Sequence, residues 1–277
     1  MKKHTLATAL VSLLAAGMAS AVTVNVKITS IAPDGGVALA PIWVGAHDGT
    51  FDSFDANAGQ TASPGLELLA ELGDTSVFSS EFNAAAPGGV DGSTGGPLPA
   101  GAMLELDLDL AADGSNDYLS LLGMVLPTND YFIGNGNPLA FDISSVLNGG
   151  GPVSFDLGST VYNAGTELED FAFSAPPNSA PLFPFLNGLP TNPPGGTDEN
   201  GTITSVTSND PFGSFANGPS GGVPANLNFN DSALYPNGLI NVTVSAPGAQ
   251  AVPEPGAALS LALLAGVVGF RRRRRSA

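Results

Sequence analysis

The 277-residue chain contains no cysteine, which excludes disulfides, thiolate metal ligands and cysteine nucleophiles together. Basic residues are almost as scarce. Of the 8 lysines and arginines, Lys2, Lys3 and Arg271 to Arg275 stand at the extreme ends, so that Lys27 is alone between residues 4 and 270. There are 2 histidines, 1 tryptophan and 4 tyrosines. Between Val22 and Ala251 the inventory shrinks to His47, Lys27 and no arginine, which leaves Ser-His-Asp, Cys-His and lysine-based mechanisms almost without parts. Only carboxylate chemistry remains. Among 24 carboxylates in that span some pair arises by chance, so a glycosidase-like acid and base are not indicated by count alone, and the chain reads as a non-enzyme.

What is abundant is negative charge. Lys27 against 24 acidic residues gives residues 22 to 251 a formal charge of −23, compared with −17 for the whole chain. Such a surface repels nucleic acid, whose partners need Lys and Arg to displace counterions. It also works against compaction unless cations offset it, which makes calcium a physically sensible cofactor. With no staples available, stability must come from burial. The roughly 230 residues between the ends are enough for one large all-β domain.

Long apolar runs occur only at the two ends. Lys2 and Lys3 precede an apolar run from Leu6 to Met18, and Ala19-Ser20-Ala21 supplies small residues for signal peptidase. Residues 1–21 are therefore expected to be a signal peptide. At the other end, Val252, Pro253, Glu254 and Pro255 introduce an apolar segment, 256–270, followed directly by Arg271, Arg272, Arg273, Arg274 and Arg275. A short hydrophobic helix backed by arginines is held in a membrane with the basic cluster on the cytoplasmic side. At fifteen residues this span falls short of the roughly 20 of a comfortable spanning helix, which suits a temporary anchor. The order resembles the PEP-CTERM sorting signal of Gram-negative bacteria. That resemblance implies a transmembrane helix at 256–270, passage through the inner membrane, processing by an exosortase, and delivery to the cell surface or extracellular matrix.

Between the ends, period-two alternation predicts strands. Val22 to Thr29 alternates β-branched with polar residues, and Leu104 to Leu110 sets leucines on one face with Glu105, Asp107 and Asp109 on the other, where they meet solvent. Further strands are expected at 40–46, 118–125, 153–157, 202–207 and 239–245. One helical turn is expected at Leu66 to Leu72, with Pro64 near its start and Gly73 as its cap. Residues 175–224 are rich in Pro, Gly, Asn and Ser and are expected to be mostly loop. The domain then spans 22–246, with a linker at 247–251 and the sorting signal at 252–277.

Four segments, in order, carry a second resemblance. They are Ile31-Ala-Pro33 with Pro41 to Asp48, Gly59 to Gly73, Leu119 to Asp130 with Phe132-Ile-Gly134, and Tyr162-Asn-Ala-Gly-Thr-Glu167. Together they resemble the spondin domain as found in bacterial exported proteins. The resemblance covers about Val24 to Asp170. It implies a C2-like antiparallel β-sandwich with long Gly/Pro-rich loops, calcium held in loops at one end, and a role in cell adhesion, extracellular matrix or biofilm. The family's calcium-binding segments fall at Pro127 to Asp130 and Asn163 to Glu167, so Asp130, Asn163 and Glu167 are the implied metal ligands. Glu169 and Asp170 lie close by in sequence. Asn163 stands where the family usually has aspartate. Read without the resemblance, both segments place oxygen-bearing side chains in tight turns, and Asp130 could equally cap its own turn. An extracellular polysaccharide or matrix protein is the implied partner. The alternative is a carbohydrate-binding or carboxylate-based glycan-processing sandwich. His47 reads as a packed structural residue, since no second histidine is available between the signals to share a transition metal.

Overall fold

The computed structural model describes residues 21–168, 198–207 and 225–246. The predicted signal peptide up to residue 20, the linker, the VPEP motif, the 256–270 span and the arginine cluster lie outside the described residues, as do Glu169 and Asp170. No helix among the described residues is long and apolar enough to cross a membrane.

In chain order the elements are β1 (Ala21–Ser30), β2 (Ala38–Leu39), β3 (Trp43–His47), α1 (Pro64–Leu72), α2 (Ser76–Ala85) and β4 (Val90–Ser93). They continue with β5 (Met103–Ala111), β6 (Tyr118–Leu126), β7 (Tyr131–Gly134), β8 (Phe141–Asp142) and α3 (Ser144–Leu147). The chain closes with β9 (Val153–Leu157), β10 (Tyr162–Asn163), β11 (Thr204–Ser205) and β12 (Ile240–Ser245). The pairings are antiparallel. One sheet has the order β5-β1-β12-β9, and the larger has β11-β10-β7-β6-β3-β4, with β2 and β8 also pairing with β6. The protein is an all-β antiparallel sandwich.

The smaller sheet follows its alternation closely. Val24, Val26 and Ile28 of β1, Leu108 and Leu110 of β5, and Val242 and Val244 of β12 point inward and are buried. Outward, Thr23 donates to Asp109 at 2.7 Å, Asn25 to Asp107 at 2.8 Å and Asn241 to Asp156 at 2.7 Å. The acid row of β5 is thus exposed, and β1 faces it with hydroxyl and amide donors and with Lys27, which is in register with Glu105. Strand β12 starts at Ile240 and pairs with both β1 and β9, so the chain returns to the sheet after the loop-rich region.

The larger sheet is covered on both faces, and here the structure departs from a plain two-layer reading. Its inner side meets the smaller sheet through Val44, Leu119, Leu121 and Ile133. Its outer side carries a second core: Trp43, Leu122 and Phe132 lie beneath Leu66, Leu69, Phe78 and Phe82 of α1 and α2. Strand β6 is consequently buried from Leu119 to Val125, which explains why its sequence is a short, mostly apolar stretch broken by Ser120 and not an alternation. Trp43 sits edge-on to Phe78 and Phe82, with ring centroids 4.8 and 5.1 Å away.

Helix α1 starts and stops where its sequence signals stand. The Ser63 hydroxyl accepts from Leu66 N at 3.2 Å, Pro64 occupies the first turn, and Gly73 adopts φ 67° to close the helix onto Leu69 O. Helix α2 was not expected from sequence. Only Phe78 and Phe82, four positions apart, are buried along it, and its remaining Ser and Asn residues carry little helical preference. Within the predicted loop region, residues 198–207 are ordered against the sheet and contribute β11, while 175–197 and 208–224 lie outside the described residues.

Candidate functional site

The turn between β6 and β7 and the turn after β10 are brought together by strand pairing. Asn163 of β10 lies opposite Tyr131 of β7, which sets residues 164–168 against residues 128–130. The first turn is closed by Thr128, whose hydroxyl donates to Val125 O and accepts from Tyr131 N at 3.2 Å. Asp130 is thereby released from capping its own turn and reaches across: its Oδ2 accepts from Thr166 N at 3.1 Å and from Glu167 N at 3.3 Å. Its backbone carbonyl accepts from Ala164 N at 3.1 Å. Asn129 adds a second strut, with Nδ2 donating to Leu168 O at 2.7 Å.

Three sequence-predicted residues therefore meet in one place, with different duties. Asp130 and Glu167 are buried, at 0 % and 1 % exposure. Asn163 is half-buried, and its Oδ1 accepts from Gly165 N, so that its carboxamide shapes the turn in which it stands. Gly165 has φ 70°, and a Cβ there would come within 2.8 Å of Thr202 N and O. Only glycine lets the turn press this closely on residues 201–202.

Sequence reasoning missed two further carboxylates and an amide. Glu71, in the last turn of α1, is half-buried; burial pushes its carboxyl pKa up, and the negative charges of Glu67, Asp130 and Asp198 push in the same direction, against the effect of the Thr166 side chain. Asp198 forms an antiparallel β-bridge with Glu167. Asn129 is 1 % exposed, and its Oδ1 has no hydrogen-bond partner among the described residues. Glu71 stands four residues after Glu67 on a helix, a spacing too common to mark a site, and Asp198 is separated from its neighbours by the loop-rich region.

The donor set is chemically uniform: carboxylates and carboxamides, with neither imidazole nor sulfur. That is the oxygen-only character preferred by calcium or magnesium over transition metals. The buried Asn129 Oδ1 is an acceptor in need of a donor or a cation. No group of three or more His, Asp or Glu side chains among the described residues forms a ready-made metal cluster. Amide and backbone oxygens would have to complete a shell of six to eight.

Other candidates resolve into structural roles. His47 is fully buried; its Nδ1 accepts from Gly49 N at 3.0 Å, which leaves Nε2 to carry the proton and donate to Ser120 Oγ at 2.9 Å. Trp43 is 0 % exposed and donates to Asp91 at 2.9 Å, so it offers no stacking face to a sugar. In comparisons with known proteins, no family model and no curated protein matches the chain.

Proposed function

We propose that this protein is an exported, non-enzymatic β-sandwich module whose paired turns bind calcium, and that it acts in extracellular matrix, biofilm or cell-surface adhesion. The observation that carries the reading is the buried clamp in which Asp130, next in sequence to Asn129, whose Oδ1 has no partner among the described residues, holds Thr166 and Glu167. Asp130, Glu167 and Asn129 would hold the cation, with Glu71 and Asp198 adding negative charge at its margin. Bound calcium would supply positive charge that offsets these carboxylates and stiffens the turns. The C2-like and spondin-like character, and the exosortase route implied by the C-terminal tail, belong to the same proposal.

Thermal unfolding of the segment Val22 to Ala251 in excess calcium and in chelator tests it. A cation that binds only the folded state raises the midpoint, by about 2.7 kcal/mol of stability at a hundred times its dissociation constant. The expected result is a calcium-dependent rise that disappears in Asp130→Asn. An unchanged midpoint in the parent would make the carboxylates a solvated and hydrogen-bonded surface only.

A further inference from the structure

Residues 198–207 cross the edge of the larger sheet as a strap. Thr204 and Ser205 pair with Asn163 and Tyr162. Elsewhere the strap is held by backbone bonds: Glu199 N to Thr166 O, Gly201 N to Gly165 O at 2.8 Å, Ile203 N to Gln60 O at 2.8 Å, and Val206 N to Val161 O at 2.9 Å. Ile203 is fully buried in the second core. The strap thus covers the β10 edge and completes the core beneath it.

At its start this attachment opposes itself. The β-bridge at the strap's first described residue sets Asp198 directly opposite Glu167, and like charges directly opposite in an antiparallel pair destabilise it. Glu71 lies close enough to feel the negative charges of both Asp130 and Asp198, and the sequence has no lysine or arginine between residues 28 and 270. Asn129, whose carboxamide reaches across to Leu168, the residue after Glu167, keeps its buried Oδ1 without a donor among the described residues.

We infer that Asp198 is a cation-dependent latch: a divalent cation at the Asp130–Glu167 clamp draws Asp198 in and holds the 198–207 strap over the β10 edge, and removing the cation lets repulsion between Asp198 and Glu167 lift the strap's start. The inference rests on the calcium reading of the clamp. It assigns to Asp198 a role in linking occupancy of the site to closure of a sheet edge. Loss of the cation would then uncover unpaired backbone groups of β10, an edge able to pair with another chain.

Hydrogen exchange read by mass spectrometry on the full chain in detergent, in calcium chloride and in chelator, tests this alongside the unfolding midpoint. Amides of 199–206 are expected to exchange at least tenfold faster in chelator and by local opening, at rates well above those of β6, whose amides open only with the whole fold. In Asp198→Asn, relief of the repulsion is expected to keep the strap protected in both conditions. A calcium-raised midpoint with equal strap exchange in both conditions would overturn the latch and leave the cation site standing. No calcium effect on midpoint or exchange would overturn both. A calcium-dependent strap in Asp198→Asn as large as in the parent would remove Asp198 from the linkage.

Discussion

Glu81 on α2 accepts a hydrogen bond from the backbone N–H of Gly65 at the start of α1, at 2.8 Å. Its other oxygen accepts from the hydroxyl of Ser63, the residue that caps α1, at 2.6 Å. One carboxylate therefore satisfies an orphan donor of the first turn, holds the capping side chain in place and meets the positive end of the helix dipole. Removing it in Glu81→Ala should cost about 1–2 kcal/mol, a fall of roughly 2–8 °C in the unfolding midpoint. Glu81→Gln keeps an acceptor and should lose less. Equal losses in the two variants would show that charge, and not hydrogen-bond acceptance, is what α1 needs.

A change at Asn163 probes the clamp from its other side. Asn163→Asp retains the oxygen that receives Gly165 N and adds a negative charge beside Asp130 and Glu167. The variant should be less stable than the parent in chelator and should gain more from calcium, with each tenfold gain in affinity worth about 1.4 kcal/mol. Unfolding midpoints measured across a calcium series would show the two curves diverging. Parallel curves would confine Asn163 to its turn.

His47 should make stability depend on pH. Burial lowers its pKa from the ordinary 6.5, and the nearby Asp48 only partly opposes this. Its Nδ1 already accepts from Gly49 N, so a second proton on the ring has no acceptor there. Because the folded pKa is depressed, the unfolded chain takes up the proton first. The contribution is complete above pH 6.5 and is lost as pH falls through the folded-state value. His47→Gln should flatten the dependence of the unfolding midpoint between about pH 6.5 and 5, a range above the ordinary carboxylate pKa values. An unaltered slope in the variant would assign that dependence to other groups.

The proposed export and surface retention can be tested apart from the fold. Deleting residues 252–277 removes the VPEP motif, the apolar segment and Arg271 to Arg275 together. If the proposed sorting route holds, the truncated protein still leaves the cytoplasm through the expected signal peptide at 1–21 and is lost from the cell surface when fractions are probed by immunoblot. Surface levels equal to the parent would rule out a sorting role for the tail.

Some elements were legible because their cause is local. Strands β1, β5 and β12 each bury one face and wet the other, so period two is written into the chain itself. Helix α1 announced both of its ends through Ser63-Pro64 and Gly73. Helix α2 did not, because its stability comes from two phenylalanines packed on Trp43 and not from its own composition. The two-sided burial of β6 was likewise hidden, since an apolar run does not say what covers it.

By itself the sequence determined the charge balance, the absence of thiol and basic chemistry, the alternating strands, and the oxygen-rich turns at Pro127 to Asp130 and Asn163 to Glu167. Only the tertiary structure decided that Asp130 spans 36 residues to hold Thr166, that Glu71 and Asp198 stand at the same place, and that Trp43 is interior. The physical reason is range. Side-chain periodicity and turn chemistry act between neighbours in sequence, whereas the meeting of two turns depends on the register of β7 with β10 and on which edge the 198–207 strap closes.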